Sequence, residues 1–390
     1  MLATRTQWVE RMVGAMIIAY RCRRKIQKLS RKLPIERQPR LKDGVRRRFP
    51  GYSYDLWHRA YAAVNGQMSV DYVPEDLFYN VFETRLNPRN RREPYKDKNF
   101  FDRMGWGCLP DTIFRIINGR LFDKTYEMID VQTALALARD AEVPELVVKP
   151  AIDSGSGSRV MFLDEAQLAT FLAENLSPHS DWIIQRPIVQ HEAMAGLNPS
   201  SVNTLRVVTI REGAEVSVIS SFAKIGTPGV RVDNVSAGNI AVGIEDDGRL
   251  RGHGCDFAFR LSTTHPNHGY SYADFVIPSY DSVRRTCIQL HRHVPDLDLL
   301  SWDVAIRRDG APVVIEVNIR RQDVNITQIC NGPVFSPYVD AVLARHKWVE
   351  IPGIGAIDAQ ADMAPESFKL ASKARKANPR SWKLGRAESH

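Results

Sequence analysis

The chain has 390 residues, 44% hydrophobic and 25% charged, with 24 Gly and 22 Pro, a globular composition that excludes a fibrous or low-complexity protein. Its five cysteines (Cys22, Cys108, Cys255, Cys287, Cys330) are odd in number and form no C-x-x-C pair, which excludes a disulfide scaffold or zinc ribbon and points to a reducing compartment. The net charge of +8 divides into +12 on residues 1–48, +5 on residues 363–390 and −9 on the body between, so the basic patch of a nucleic-acid-binding fold is missing from the body.

The basic arm, residues 1–48, opens with Val9, Met12, Val13, Met16, Ile17 and Tyr20 on one helical face, followed by the cationic block. Its longest apolar run, Met12–Tyr20, falls short of the ~20 residues that span a bilayer. Two readings stay open for this amphipathic arm: peripheral contact with an anionic membrane at its inner face, or docking on its own body or a partner. Either way the protein reads as cytoplasmic.

From Phe49 the N-terminal region, 49–125, reads as mostly helical. Tyr54–Leu86 is helix broken at Val73-Pro74, Asn87–Tyr95 is a polar connection, and Asn118-Gly119 signals a turn. Val131–Asp140 is a helix of strong formers, and Glu145–Lys149 a strand that delivers Lys149 to a Gly/Ser loop (Ser154, Gly155, Ser156, Gly157, Ser158). Glycines let backbone N–H groups approach phosphate oxygens, and serine hydroxyls add donors. The spacing is neither a Walker A loop nor G-x-G-x-x-G.

Further strands follow: Asp181–Val189 with Gln185, Thr204–Arg211 with Arg206, Val216–Ile225 with Lys224, then a loop holding Asp233 and Asn234, and Ile240–Ile244 before an Asp247-Gly248 turn. His191, His253, His265 and His268 fall in polar loops and read as surface or substrate-proximal residues. Trp302–Ile306 and Val313–Val317, joined at Asp309-Gly310, read as a hairpin that gathers Asp303, Glu316 and Asn318. Glu316 and Asn318 are two apart on an extended chain and share a face. Three oxygen-bearing side chains among apolar neighbours are costly unless a partner such as a hard cation satisfies them. Residues 351–390 form a basic tail with no expected chemistry.

Taken in order, Lys98, Lys149 with its loop, Arg206, Asp303 and Glu316-x-Asn318 resemble the ATP-grasp superfamily, whose metal pattern also has the 13-residue step from Asp303 to Glu316. The segments Asp97-Lys98, Ser201–Arg206 (SVNTLR), Val232–Asn234 (VDN) and Ser301–Ile306 (SWDVAI) resemble its sugar-transfer-associated group, over about Tyr54 to Val342. The resemblance implies an α+β ATP-grasp fold: two α+β subdomains clasping ATP, a lid at 126–190 and a C-terminal subdomain with the metal site at 191–350. It implies ATP and Mg²⁺ as cofactors. Lys98, Lys149, the Ser154–Ser158 loop and Asn203 would contact the nucleotide, and Gln185, Pro187, Ile188 and Val189 its adenine hinge. Asp303, Glu316 and Asn318 would hold the metal, with Arg206 and Lys224 as the catalytic cations. Ser301 departs from the pattern, since carboxylate ligases of the superfamily often carry an arginine two residues before the metal aspartate.

The reaction so implied is carboxylate–amine ligation through an acylphosphate, on a sugar acid, amino acid or related molecule of surface-polysaccharide or modified-sugar metabolism. A phosphotransferase with the same site and a non-catalytic ATP binder are the alternatives. No Ser/His/Asp triad is evident. Past the hairpin, Arg320, Arg321 and Gln328 are expected to line the acceptor pocket, with Asp233 and Asn234 also assigned to substrate. Adjacent side chains on an extended strand point opposite ways, so only one of the two arginines is expected to face it.

Overall fold

The computed structural model describes residues 5–36, 38–152, 159–227, 229, 231, 239–265, 269–344, 348–351, 354–358 and 383–385. The Ser154–Ser158 loop, Asp233, Asn234 and His268 lie outside the described residues.

The chain begins with a helical layer: α1 (Arg5–Ser30), α2 (Leu41–Arg48), α3 (Leu56–Asn65), α4 (Glu75–Leu77) and α5 (Glu83–Leu86), the last two joined by a π-helical turn, Phe78–Phe82. Pro74, fixed at φ −58°, precedes α4 and marks the expected break. The face that α1 buries is not the expected one. Ala15, Ala19, Cys22 and Ile26 are buried, whereas Val13, Ile17 and Tyr20 stand 48%, 45% and 51% exposed. Small side chains allow close approach, and Arg23 on the buried side pairs with Asp76 (3.1 Å) and Glu350 (2.7 Å), its guanidinium 4.4 Å from the Tyr54 ring centroid. A buried arginine needs such partners to offset its desolvation. Docking on its own body is the arrangement the helix adopts, and among the described residues no helix is long and apolar enough to cross a membrane.

β1 (Thr112–Ile117) and β2 (Arg120–Asp123) form a hairpin over Asn118-Gly119, both at positive φ (49° and 74°), as a two-residue type I′ turn requires. Then come α6 (Val131–Asp140), β3 (Leu146–Pro150), β4 (Met161–Leu163), α7 (Glu165–Asn175) and β5 (Trp182–Gln185). Asp130 caps α6 by accepting from the Thr133 amide (2.8 Å), and Asp164 with Gln167 forms a capping box on α7. The five strands pair antiparallel in the order β2-β1-β5-β3-β4, and Ala134, Leu168 and Leu172 of the helices pack with Phe114, Val148 and Ile184. Because β1 pairs with β5, this sheet runs across the boundary expected at 125/126.

After α8 (Glu192–Leu197), β6 (Thr204–Glu212), β7 (Glu215–Ile225), β8 (Ile240–Ile244), β9 (Leu250–Cys255), β10 (Leu261–Ser262), α9 (Tyr280–Arg292), β11 (Leu299–Ile306) and β12 (Pro312–Asn318) build the second sheet. Its order is β10-β9-β8-β7-β6-β11-β12, antiparallel throughout. Leu205, Val207, Ala223, Trp302, Val304 and Val317 share one core with Val283, Cys287 and Leu290 of α9. Side chains alternate along a strand, so Arg206, Lys224, Asp303, Glu316 and Asn318 fall on the opposite face. The chain ends with α10 (Val324–Asn331), α11 (Val339–Ala344) and the sheet of β13 (Trp348–Ile351), β14 (Gly355–Asp358) and β15 (Lys383–Gly385), whose β14 contacts α1. The α+β architecture expected from the sequence is the one observed.

Candidate active site

Four neighbouring strands carry the site. Asp303 on β11 stands opposite Arg206 on β6 and opposite Glu316 on β12, while Ser301 stands opposite Asn318. Arg206 grips both Asp303 oxygens (Nε–Oδ1 2.6 Å, Nη2–Oδ2 3.1 Å), Lys224 on β7 reaches Oδ2 at 3.2 Å, and the Asn318 amide donates to the same oxygen at 3.2 Å. Burial alone would raise the Asp303 carboxyl, but the cations of Arg206 and Lys224 override it and hold it at about 2. Burial likewise works against the Arg206 charge, which Asp303 and Asp323 more than restore.

Lys98 arrives from the other side of the cleft. It opens the 3₁₀ turn Lys98–Met104, where Asp97 accepts from the Asn99 amide (2.9 Å). Its own amide donates to Ala151 O (3.0 Å), tying the turn to the end of the strand that carries Lys149. Lys98 Nζ then lies 3.0 Å from Glu316 Oε1. Lys98, Lys149, Arg206, Lys224, Asp303, Glu316 and Asn318 all line one cavity of about 1870 Å³ between the two sheets. Gln185, Pro187, Ile188 and Val189 line it too. Gln185 Nε2 donates to Thr112 Oγ1 (3.2 Å), and Val189 O accepts from the Arg308 amide (3.0 Å), so the linker is fastened to the β11–β12 hairpin.

Several expected site residues do something else. Asn203 is fully buried: its amide donates to Met194 O (2.7 Å) and Asn198 O (2.9 Å), its Oδ1 accepts from the Gly226 amide (3.0 Å), and it does not line the cavity. It clamps loops. Gln328 is also buried and pairs with both backbone groups of Val73 at 2.9 Å. His265 is buried against Gly226 O (3.2 Å) and is not a surface residue. Arg320 and Arg321 both line the cavity, contrary to the alternation expected, because Arg321 leaves the extended region at φ +54°.

Three contributors escaped the sequence reading. Asp323, at φ +52°, accepts from Arg206 Nη1 (3.3 Å). Gln322, buried between two residues at positive φ, accepts from Ser301 Oγ (2.7 Å), donates to Leu299 O (3.2 Å), and gives its amide to Glu83 Oε1 (3.2 Å). Two left-handed non-glycine residues cost of order 1–3 kcal/mol each, and Gln322 is the pin that holds them. Glu83 lines the cavity, and burial pushes its carboxyl up to about 7. The only sequence signal for these residues was their closeness to the hairpin end or to the helix break.

A family model described as sugar-transfer associated ATP-grasp matches residues 78–343. The chain belongs to the sugar-transfer-associated ATP-grasp family. ATP with Mg²⁺ is the cofactor pair this membership carries. Similar solved structures include the ATP-grasp ligase PsnB complexed with a minimal precursor, Mg and ADP (16% identity, 66% of this chain and 61% of that one, TM-score 0.39). Others are the L-amino acid ligase from Bacillus licheniformis (12%, 64% and 50%, 0.36) and the D-cycloserine synthetase DcsG (15%, 66% and 73%, 0.39). This chain spans less than two-thirds of the PsnB chain. No curated protein sequence matches it.

The donor set of this ATP-grasp site fits Mg²⁺. Among the described residues no three His, Cys, Asp or Glu side chains converge on one point, and Mg²⁺ asks for no such cage. It takes one or two carboxylates and completes its octahedron with phosphate oxygens and water. Asp303 and Glu316 supply the carboxylates. The Asn318 amide nitrogen is spent on Asp303 and Ser301 O (3.3 Å), which leaves its oxygen as an acceptor.

Proposed function

We propose that the protein is an ATP- and Mg²⁺-dependent carboxylate–amine ligase acting on a sugar acid, amino acid or related small molecule of surface-polysaccharide or modified-sugar metabolism. The observation that carries the reading is the charged row across β7, β6, β11 and β12, faced by Lys98 and Lys149 in one cavity. Lys98 and Lys149 contact the ATP phosphates, Gln185 and the Pro187–Val189 linker flank the adenine, and Asp303, Glu316 and Asn318 hold Mg²⁺. The metal supplies charge neutralisation on the transferring phosphoryl group.

A substrate carboxylate oxygen attacks the γ-phosphorus and ADP leaves. The amine nitrogen then attacks the acyl carbon of the acylphosphate, inorganic phosphate leaves, and the amine proton passes to solvent. Arg206 and Lys224, preorganised on Asp303, stabilise the charge that builds on the transferring group and on the tetrahedral carbon. They take the part of the arginine that Ser301 replaces. Arg320 and Arg321 orient the acid through guanidinium–carboxylate forks, and Asp233 and Asn234 are assigned to the same substrate.

The test is an ATP-turnover screen against pooled sugar acids, amino acids and amines. The ligase reading expects ADP and free phosphate in equal amounts, dependent on both an acid and an amine. Phosphate retained on a hydroxyl product would contradict it and make the protein a phosphotransferase.

A further inference from the structure

Helix α1 presents three faces, and two of them have a place in the fold. Ala15, Ala19, Cys22 and Ile26 are buried, where the helix packs against α3, α4 and β14. Gly14, Ile18, Arg21 and Lys25 line the cavity. The third face lies one residue earlier in each turn: Val13, Ile17, Tyr20 and Arg24, continued by Lys28. All five are exposed. Their i, i+4, i+7 spacing sets them in one line, ~22 Å long at 1.5 Å per residue.

That line changes character along its length. Val13 and Ile17 are apolar, Tyr20 is amphipathic, and Arg24 and Lys28 are cationic, with Arg31 and Lys32 exposed just past the helix end. Residues 21–32 hold seven Lys or Arg, and no Asp or Glu occurs from Arg11 to Ile35. Single exposed apolar side chains are ordinary. A row of them leading into a run of cations is the pattern of a helix that lies in a lipid–water interface. Nucleic acid would use the cationic half alone and leave Val13 and Ile17 in water. The charge of the whole molecule favours an anionic surface at this end, since residues 1–48 carry +12 and the body −9. Packing on the body also forms the helix beforehand, so binding does not bear the cost of ordering it.

We infer that the outward face of α1 docks the protein on an anionic membrane surface. Val13 and Ile17 enter the acyl boundary, Tyr20 lies at headgroup level, and Arg24 and Lys28 meet lipid phosphates. Three apolar side chains hold weakly by themselves, so the cations are required as well. The cavity-lining face is about 100° further round the helix, so the docked protein holds the α1 wall of its cavity beside the bilayer.

The test is co-sedimentation of the full chain with phosphatidylcholine vesicles, with and without ~30% phosphatidylglycerol. Binding should be about tenfold or more tighter to the anionic vesicles, and should fall steeply between ~0.1 and ~0.5 M salt as the charges are screened. Joint Arg24→Gln and Lys28→Gln substitution should weaken it on the order of 20-fold. Ile17→Asp should weaken it about tenfold or more, with an unchanged urea midpoint because the side chain stands in solvent. Met128→Asp, which alters an exposed apolar residue between β2 and α6, should bind as the wild type does. Absent or salt-insensitive binding, or undiminished binding by Ile17→Asp, would overturn the docking face. So would a wild-type dimer in light scattering that Ile17→Asp dissolves, which would give the face to a second copy of the chain.

Discussion

The two parts of the cavity wall are built on different principles. Along the seven-stranded sheet the charges answer one another: Arg206 and Lys224 with Asp303, and Glu316 with Lys98 from the turn across the cleft. On the wall made by α1, α4 and the loop after β12, Arg21 and Arg321 are exposed to solvent, and the buried Glu75 is held by Lys25 at 2.6 Å. Strand spacing of ~4.8 Å and a fixed register hold the first set in place without a ligand, which suits triphosphate chemistry that never varies. The second set is held by helix docking and a strained loop. Preorganisation and adjustability are divided between the sheet and its covering.

The sharpest way to break that contrast is Asp303→Asn. It removes the Asp303 charge that Arg206 and Lys224 share, leaving Arg206 only Asp323, and uncompensated buried charge costs about 3–5 kcal/mol. Urea unfolding should show that loss, whereas Arg321→Lys on the other wall should stay within about 0.5 kcal/mol of wild type. Comparable losses in both variants would erase the distinction.

Next in size is Glu316→Gln. The fold should persist, because Glu316 is partly exposed and its carboxamide keeps the shape. ATP turnover should fall roughly 10²–10³-fold, the range for removing one electrostatic contact to a transition state. Turnover near wild type at limiting Mg²⁺ would remove Glu316 from the metal site.

The smallest expected effect is a pH signature of opposite sign on the two walls. Asp303 is held at about 2, below the ordinary value of 3.8, so its contribution is present above about pH 4 and is lost as pH falls toward 2. Glu83 is raised by burial from 4.5 to about 7, so its contribution is full below about pH 4.5 and is lost as pH rises through 7. Glu83→Gln should therefore flatten the decline between about pH 5 and 7 in urea midpoints and change little at pH 4. An unaltered decline would assign it to other groups.

The sheet was legible in the sequence because period-2 alternation and an Asp-Gly turn are local signals, and Asp303, Glu316 and Asn318 follow from them. The β1–β2 hairpin announced only its turn, since its place in the sheet depends on pairing Phe114 with Ile184, seventy positions later. α1 misled for a related reason. Periodicity favours the face with the largest apolar side chains, but docking selected the small one that permits close approach and an Arg23 ion pair with residues as distant as Glu350. Asn203 and Gln328 illustrate a third limit. A carboxamide donates and accepts as a peptide group does, so a buried clamp and a ligand contact look alike until the backbone around them is known. Asp323 owes its position to a positive φ that no residue type announced.

If one face of the seven-stranded sheet binds the Mg²⁺–nucleotide phosphates, AMPPNP titration calorimetry with and without Mg²⁺ should show it. Mg²⁺ should tighten AMPPNP binding about tenfold or more in the wild type, and Glu316→Gln should lose this gain while keeping the metal-free affinity. Metal-independent binding by the wild type, or an undiminished gain in the variant, would contradict it.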